Sequence, residues 1–418
     1  MKVLIIGGGG REHALAHAMS SSPMLTELLA TPGNPGISAL ARCLDCPDET
    51  TLFAAIKDEA VDLVVIGPEA PLVDGMADRL NAAGVAVFGP SQKAAMLEGS
   101  KAFARAFCDR HHIPQPSWRE FTNSHEAIAY INAHPAEGHV IKADGLAAGK
   151  GVVVADTKAE AITAITNMLD DQQFGEAGAS ILIEERISGV EASLFAMADG
   201  NHAIMIGTAQ DYKRALDGDK GPNTGGMGAV SPAPALDANP HLTDQAWREV
   251  VENVIHGMKA EGMPYQGFLY VGLMITDDGP KVIEFNCRFG DPEAEVILPR
   301  LESDLLSAIV AATKSQLHQT ALQFKPGAAV TVVMANGGYP GPISPGGVIT
   351  GLAEDEITNS MVFHAGTQMT EGKIIAAGGR VLAVTGWGKD QASARQTAYA
   401  RVKKINWPDV YYRKDIAR

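Results

Sequence analysis

The first 110 residues alternate short apolar runs with helical patterns, and this alternation most restricts how the chain can fold. Apolar runs at 3–6, 63–66 and 85–88 have the length of buried strands, and a helical pattern follows each of the first two. Strands that alternate with helices form parallel sheets with helices on both faces. The sequence therefore predicts an N-terminal, doubly wound parallel α/β domain over residues 1–110.

The remaining residues predict an α+β organisation in three further parts. A chain of 418 residues is long enough for about three domains. After a proline-containing linker at 112–121, short strand patterns predict a small subdomain over 111–190 and a larger central domain over 191–325. Short strands and an amphipathic helix from about Asp390 to Lys404 predict a small, β-rich C-terminal domain over 326–418.

The charge balance and the cysteine content limit which classes of function are possible. The 34 Lys and Arg residues against 49 Asp and Glu residues give a net charge of −15, which argues against nucleic-acid binding by phosphate neutralisation. The N-terminal apolar run is too short for a signal-peptide core, no apolar run approaches the length of a membrane span, and four cysteines form no disulfide framework, so we expect a cytoplasmic protein. Cys43 and Cys46 could form a redox pair or half a zinc site, but no second pair stands at zinc spacing.

The glycine cluster Gly7-Gly8-Gly9-Gly10 follows the first strand and precedes a helix. Backbone N–H groups and the helix dipole at such a turn favour an anion. A dinucleotide fingerprint would place its third glycine where Glu12 stands, which disfavours NAD. A substrate phosphate and a merely tight turn remain alternatives. Asn34 and Glu69 follow the next strands, at the sheet edge where open α/β sheets bind ligands.

A second glycine-rich turn lies at 141–152, between two predicted strands. It departs from a Walker loop, because three residues separate Gly145 from Gly149, Gly151 follows Lys150, and a strand comes next. A hairpin of this kind can fold over a triphosphate, with Lys142 as a fixed cation on the strand. A mobile surface hairpin with solvated lysines is the alternative.

The strand pattern at 281–286 carries the clearest chemistry. Alternation places Glu284 and Asn286 on one face, about 6–7 Å apart, with Ile283 and Phe285 packed behind. Two oxygen ligands at this spacing suit Mg²⁺ shared between protein and nucleotide phosphates. An exposed strand face is the alternative.

Two further polar segments are weaker signals. At 181–193, backbone groups at a strand exit could read an adenine edge and Glu191 could bind ribose hydroxyls, although a charged sheet edge fits equally. Near 210–229, Asp211 could bind an amine, and the neighbouring cations could bind a phosphate or a carboxylate. A disordered, glycine-rich loop is the alternative.

Together these segments resemble the ATP-grasp superfamily, and within it the phosphoribosylamine–glycine ligase family. The resemblance covers nearly the whole chain and lies in seven motifs in order. These are GGGGREHALA, GPEAPLVDG, SKAFARAF, IKADGLAAGKGV, IEERISGVEAS, AQDYKR with GPNTGGMGA, and IEFNCRFGDPE. Tyr212 stands where the family more usually has His.

The resemblance implies an ATP-grasp fold and ATP-dependent ligation of glycine to 5-phosphoribosylamine through a glycyl phosphate, in purine biosynthesis. It implies a cytoplasmic monomer, with a weak dimer as the alternative, and no nucleic-acid or membrane partner. The implied ATP-binding residues are Lys101, Lys142, Gly145, Gly149, Lys150, Gly151, Glu184, Glu185, Ile187 and Glu191. Glu284 and Asn286 would hold Mg²⁺ or Mn²⁺. Implied catalytic residues are Arg288, Lys213 and Asp211. Implied substrate-binding residues are Gly9, Gly10, Asn34, Glu69, Asn223, Thr224, Gly225, Gly226 and Asp291.

Overall fold

The N-terminal part is a five-stranded parallel sheet between helices. The computed structural model describes residues 1–134, 138–147, 151–353 and 357–418. The strand order is β3-β2-β1-β4-β5, which confirms the doubly wound prediction. The elements are β1 (Lys2–Gly7), α1 (Gly10–Ser20), β2 (Glu27–Pro32), β3 (Arg42–Cys43), α2 (Glu49–Asp58), β4 (Leu63–Ile66), α3 (Glu69–Val73), α4 (Met76–Ala82), β5 (Ala86–Phe88), α5 (Gln92–Gly99) and α6 (Lys101–Arg110).

A four-stranded antiparallel sheet with two helices forms the next layer. Its order is β6-β9-β7-β8. The elements are β6 (Trp118–Phe121), α7 (Ser124–Ala133), β7 (His139–Ala143), β8 (Val152–Ala155), α8 (Lys158–Ile165) and β9 (Ile181–Glu185). The predicted linker at 112–121 is therefore wrong at its C-terminal end, since 118–121 pair with β9. Apolar side chains of both helices and the sheet form a separate core beneath these strands.

The central and C-terminal parts share one long antiparallel sheet. Its order is β16-β15-β10-β11-β14-β17-β22-β19, with β23 paired to β17. The central elements are β10 (Val190–Asp199), β11 (Ala203–Asp211), β12 (Arg214–Leu216), β13 (Lys220–Asn223), β14 (Gly228–Ser231), α9 (Pro234–Asp237), α10 (Pro240–Ala246), α11 (Asn253–Ala260), β15 (Gln266–Thr276), β16 (Gly279–Asn286), α12 (Ala294–Ile297) and α13 (Leu305–Thr313).

The C-terminal strands extend this sheet because β17 pairs with β14 along four residues. The elements are β17 (Ala328–Asn336), β18 (Gly347–Val348), β19 (Ser360–His364), β20 (Thr367–Thr370), β21 (Lys373–Ala376), β22 (Arg380–Gly388), α14 (Gln391–Val402) and β23 (Val410–Tyr411). Across the parts of the chain described here, no helix has the length and apolar character needed to cross a membrane.

A buried polar contact joins the N-terminal sheet to the C-terminal strands. The Nδ1 atom of His13 accepts a hydrogen bond from the backbone N–H of His364 at 2.8 Å. Asn34 donates to the His364 carbonyl at 2.8 Å, from the other side. Burial lowers the pKa of His13 to about 3 and that of His364 to about 4, so both rings are neutral at physiological pH.

We expect this interface to weaken as the pH falls. Both pKa values lie below the ordinary 6.5, so the unfolded chain binds more protons between about pH 6.5 and pH 4. The free energy of unfolding therefore decreases as the pH is lowered through that window. In His13→Gln, an amide oxygen can accept the same hydrogen bond without titrating, so the urea midpoint should decline less between about pH 7 and pH 5. An identical decline in wild type and variant would contradict this account.

Candidate active site

The proposed metal strand β16 contains a β-bulge at its centre. Glu284 pairs with Gly272 and Val282 with Leu273, which leaves Ile283 as the extra residue. Ile283 is half-buried, so its predicted packing behind the strand is wrong, whereas Phe285 is buried as expected. The Ile283 carbonyl at this bulge accepts hydrogen bonds from the side chains of Lys142 and Arg105, at 2.8 Å each. The bulge therefore directs this carbonyl toward two cations.

Lys213 lies among the carboxylates predicted for the site. Its Nζ is 3.0 Å from Glu284 and 3.5 Å from Glu191. Burial alone would raise the pKa of Glu284, but the charge of Lys213 lowers it to about 2. Burial raises the pKa of Asp211 to about 6, with Lys213 opposing the shift. The structure therefore brings the predicted residues Asp211, Lys213 and Glu284 together.

The side-chain amide nitrogen of Asn286 is hydrogen-bonded within the protein, and its amide oxygen faces away from these partners. In the amide orientation that satisfies its neighbours, Nδ2 donates to Glu98 Oε1 at 2.8 Å and to its neighbour's carbonyl. This orientation turns the amide oxygen away from Glu98. A carboxylate oxygen from Glu284 and an amide oxygen from Asn286 are suitable donors for a divalent cation that nucleotide phosphates also ligate. The donor chemistry fits the predicted ion.

Arg288 connects this strand to the N-terminal part. Its guanidinium is 3.2 Å from Glu69 and 3.1 Å from Glu98. Burial would lower the pKa of Arg288, but these two carboxylates raise it, so its charge is fixed. Glu98 is 9% exposed and also accepts a hydrogen bond from the Cys287 N–H at 2.7 Å. Sequence reasoning missed Glu98, which stands in a helix with no distinguishing motif.

Lys142 lies on β7, where its side chain meets Glu184. The Nζ–Oε2 distance is 2.8 Å, and both side chains are buried. Burial lowers the pKa of Lys142, and Glu184 partly offsets this effect. The carboxylate of Glu184 is thus engaged in fixing cations, and contact between its side chain and adenosine stays a prediction. Glu185 is exposed and accepts a hydrogen bond from Ser117, while Ile187 is half-buried beyond the strand end.

Lys101 and the start of the glycine hairpin contact one another. Lys101 Nζ donates to the Gly145 carbonyl at 2.8 Å. Asp144 accepts hydrogen bonds from the Ser100 hydroxyl and the Ala102 N–H, both at 3.1 Å, at the beginning of α6. Gly145 has a φ of +100°, which a residue with a side chain rarely adopts. Gly151 is buried, and the predicted residues Gly149 and Lys150 lie outside the described residues.

Replacing Asp144 by alanine should uncouple ATP hydrolysis from ligation. The substitution removes two hydrogen bonds between Asp144 and the start of α6. On the predicted role of the glycine-rich turn as a cover over the nucleotide, loss of this attachment should admit water. We expect more ADP per molecule of ligated product and a loss of about 1 kcal/mol in stability, the usual net contribution of a hydrogen bond, since the N-cap Ser100 is retained. Parallel assays of ADP and product, with a urea unfolding curve, measure both effects. A wild-type ratio of ADP to product would contradict a hinge role for Asp144.

The N-terminal glycine turn is stabilised by its own helix. Glu12 accepts a hydrogen bond from the Gly9 N–H at 2.6 Å, and a Cβ on Gly10 would collide with Glu295. Asn34 donates to two carbonyls and accepts from the N–H groups of Gly36 and Ile37, which uses its full hydrogen-bonding capacity. The side chain of Asn34 therefore holds the turn, and a role in binding a phosphoribosyl group stays a prediction.

The glycine-rich loop at 223–226 packs beside Lys213. Thr224 donates to the Lys213 carbonyl through both its backbone N–H, at 2.8 Å, and its hydroxyl, at 2.9 Å. Gly226 has a φ of +114°, and a Cβ there would collide with Pro292. Arg380 ties this loop to the next one by donating to the carbonyls of Gly225 and Asp291 at 2.8 Å. Asn223 is half-buried and contacts Arg214 instead.

Several buried groups near the site were missed by sequence reasoning. Burial raises the pKa of Glu293 to about 8, and Asp211 adds to the shift. Glu295 is fully buried and, among the residues described, neither of its carboxylate oxygens has a hydrogen-bond partner. Glu293 is the last residue of the motif GDPE and Glu295 follows two residues later, but the motif assigned neither a role. Tyr212 packs under the C-terminal residues, with the Arg413 guanidinium 5.4 Å from its ring centre. The next residue, Lys213, extends toward Glu284.

Comparison with solved structures defines the class of protein. The chain superposes with a TM-score of 0.74 on a biotin carboxylase from Campylobacter jejuni, covering 98% of this chain and 92% of that one at 14% identity. At this identity the likeness shows the fold alone. Together with the match of residues 99–294 to the model of the phosphoribosylglycinamide synthetase ATP-grasp (A) domain, it makes this chain an ATP-grasp protein.

The family follows from full-length similarity. Residues 1–98 match the phosphoribosylglycinamide synthetase N domain and 329–418 match the C domain. Phosphoribosylamine–glycine ligases of Brucella melitensis and Vibrio parahaemolyticus are 49% and 47% identical, each over 100% of this chain and 97% of the relative. The crystal structure of the Thermotoga maritima phosphoribosylamine–glycine ligase gives a TM-score of 0.88 at 33% identity, covering 99% of this chain and 100% of that one. The chain belongs to the phosphoribosylglycinamide synthetase family.

Proposed function

We propose that this protein joins glycine to 5-phosphoribosylamine at the expense of ATP, giving glycinamide ribonucleotide, ADP and phosphate in purine biosynthesis. The observation that carries the proposal is the convergence of Lys142, Lys213, Glu284 and Asn286 around one strand in a chain of this family. Cations for phosphates and oxygen donors for a divalent ion thus lie within one site.

The reaction proceeds in two steps. A carboxylate oxygen of glycine attacks the γ-phosphorus of ATP, the bond to the bridging oxygen breaks, and glycyl phosphate and ADP form. The amine of phosphoribosylamine then attacks the glycyl carbonyl, phosphate leaves, and the amide nitrogen loses a proton. The protein contributes mainly by positioning the reactants and stabilising charge on the transferred phosphoryl group.

Nucleotide binding would combine the cations of two layers. Lys142 on β7 and Lys101 at the start of α6 suit the phosphates, and the hairpin that begins at Gly145 suits a cover that excludes water. Glu284 and Asn286 would hold Mg²⁺ or Mn²⁺. The ion, when bound, would neutralise charge on the nucleotide phosphates.

The substrate roles rest on charge. Arg288 carries a fixed positive charge beside β16 and suits the glycine carboxylate or the developing phosphoryl charge. Asp211 and Asp291 suit the glycine ammonium. The N-terminal turns with Gly9, Gly10 and Glu69 suit the phosphoribosyl group. We also propose that the enzyme acts in the cytoplasm as a monomer, which sedimentation would test.

A coupled assay of ADP release tests the function. ADP should appear only when ATP, glycine and phosphoribosylamine are all present with Mg²⁺, and omission of any one should reduce the rate to background. Mass spectrometry should identify glycinamide ribonucleotide in the complete mixture. Release of ADP with another carboxylic acid in place of glycine would instead identify a different ATP-grasp ligase.

A further inference from the structure

A buried charge cluster joins the four-stranded sheet to the metal strand, and Arg105 lies at its centre. Arg105 is 4% exposed and lies on α6. Its Nε is 2.7 Å and its Nη2 is 2.9 Å from the two carboxylate oxygens of Glu184. The same guanidinium donates to the carbonyls of Val282 and Ile283 at 2.9 and 2.8 Å.

The remaining donor of Arg105 contacts Gln115 at 3.3 Å, so all five N–H groups of the guanidinium have partners. An arginine in such an arrangement holds its partners in one geometry, because its donors form a rigid planar fork. Two partners belong to the bulge that immediately precedes Glu284. A third, Glu184, is the residue that contacts Lys142.

The charges of the cluster explain why Arg105 affects nucleotide binding. Arg105 and Lys142 share the single carboxylate of Glu184, so the three groups together carry one net positive charge. Without Arg105, Glu184 would neutralise Lys142 completely, and a buried carboxylate would bind that ammonium tightly. Little positive charge would then remain for a phosphate.

We propose that Arg105 is a positioning residue of the nucleotide site, which leaves Lys142 available for phosphate and fixes the bulge next to Glu284. The inference rests on the proposed function for the identity of the nucleotide. It assigns Arg105 no contact with substrate.

Binding of ADP with Mg²⁺, measured by calorimetry, tests the proposal without glycine or phosphoribosylamine. R105Q should weaken ADP binding about tenfold or more, and R105K, which keeps the charge but loses the fork, about threefold. The matched control is R110Q, a substitution on the same helix at an exposed arginine paired with Glu261. It should bind ADP as the wild type does.

The double variant R105Q/E184Q separates positioning from mere structural support. It removes one cation and one anion, so the net positive charge returns to Lys142, and ADP affinity should recover about threefold or more relative to R105Q. In turnover, R105K should raise the KM for ATP and leave the KM for glycine unchanged.

Wild-type ADP affinity in R105Q or R105K would overturn the proposal, as would a double variant no tighter than R105Q or an equal loss in R110Q. If R105Q does not fold, R105K decides through its ADP affinity and its KM for ATP. A wild-type protein that binds ADP but ligates no glycine would contradict the proposed function and leave this inference intact.

Discussion

Replacing Glu284 by alanine should abolish product formation while the protein remains folded. Glu284 is the proposed carboxylate ligand of the divalent ion, and its low pKa of about 2 keeps it ionised at every pH where the enzyme would work. Loss of this ligand removes charge stabilisation at the transferred phosphoryl group, so we expect kcat to fall by a factor on the order of 10³. Steady-state ADP release in saturating Mg²⁺ measures the effect.

The matched control is Glu302→Ala, which removes an exposed carboxylate outside the site. It should leave kcat within about twofold of the wild type. Circular dichroism should show both variants folded, because Glu284 is half-buried at the site and fills no part of the apolar cores. Near-normal turnover in Glu284→Ala would refute its assignment as a metal ligand.

Replacing Lys213 by methionine should both lower activity and change its pH dependence. Lys213 is 3.0 Å from Glu284 and lowers the pKa of that carboxylate to about 2. Without the ammonium, burial should raise the pKa of Glu284 relative to the wild type, with the charges of Lys142 and Arg288 still opposing the shift. Ionised Glu284 would then be lost at a higher pH than in the wild type, so the acid limb of the pH–rate profile should move to higher pH.

At neutral pH the same variant should lose a factor of about 10² to 10³ in kcat, because a cation near the transferred phosphoryl group is missing. Lys281→Met serves as control, since Lys281 lies on the same strand and contacts Asp278 in the turn. It should retain both the rate and the pH profile. An unchanged acid limb in Lys213→Met would show that Lys213 does not control the ionisation of Glu284.

Local pattern was sufficient to predict the fold class and most strands. Strands predicted at 3–6 and 63–66 agree with β1 and β4. The helical pattern predicted after the strand at 63–66 was less accurate, since this segment is split into α3 and α4 at Gly75, whose φ is +82°. Glycine interrupts a helix in a way that apolar periodicity does not register.

The candidate site was predictable wherever a motif concentrated polar residues on one strand or loop. Glu284 and Asn286 follow strand alternation, and Lys213 stands beside Asp211 in a polar segment. Arg105, Glu98 and Glu295 were not predictable in this way, because each stands in a helix whose sequence does not mark it as different from charged residues at the surface. Their importance follows from burial, which sequence alone does not reveal for a charged side chain.

The amino-acid sequence by itself determined the doubly wound N-terminal sheet, the order of the motifs and the chemical character of the metal strand. Hydrophobic periodicity and glycine placement act over neighbouring residues, so these features can be read locally. Only the tertiary structure decided which groups meet. Arg105 contacts the carboxylate of Glu184, 79 residues away in the chain, and the carbonyl of Val282, 177 residues away. Buried ion pairs of this kind exist because packing removes water from them, and that depends on the whole fold.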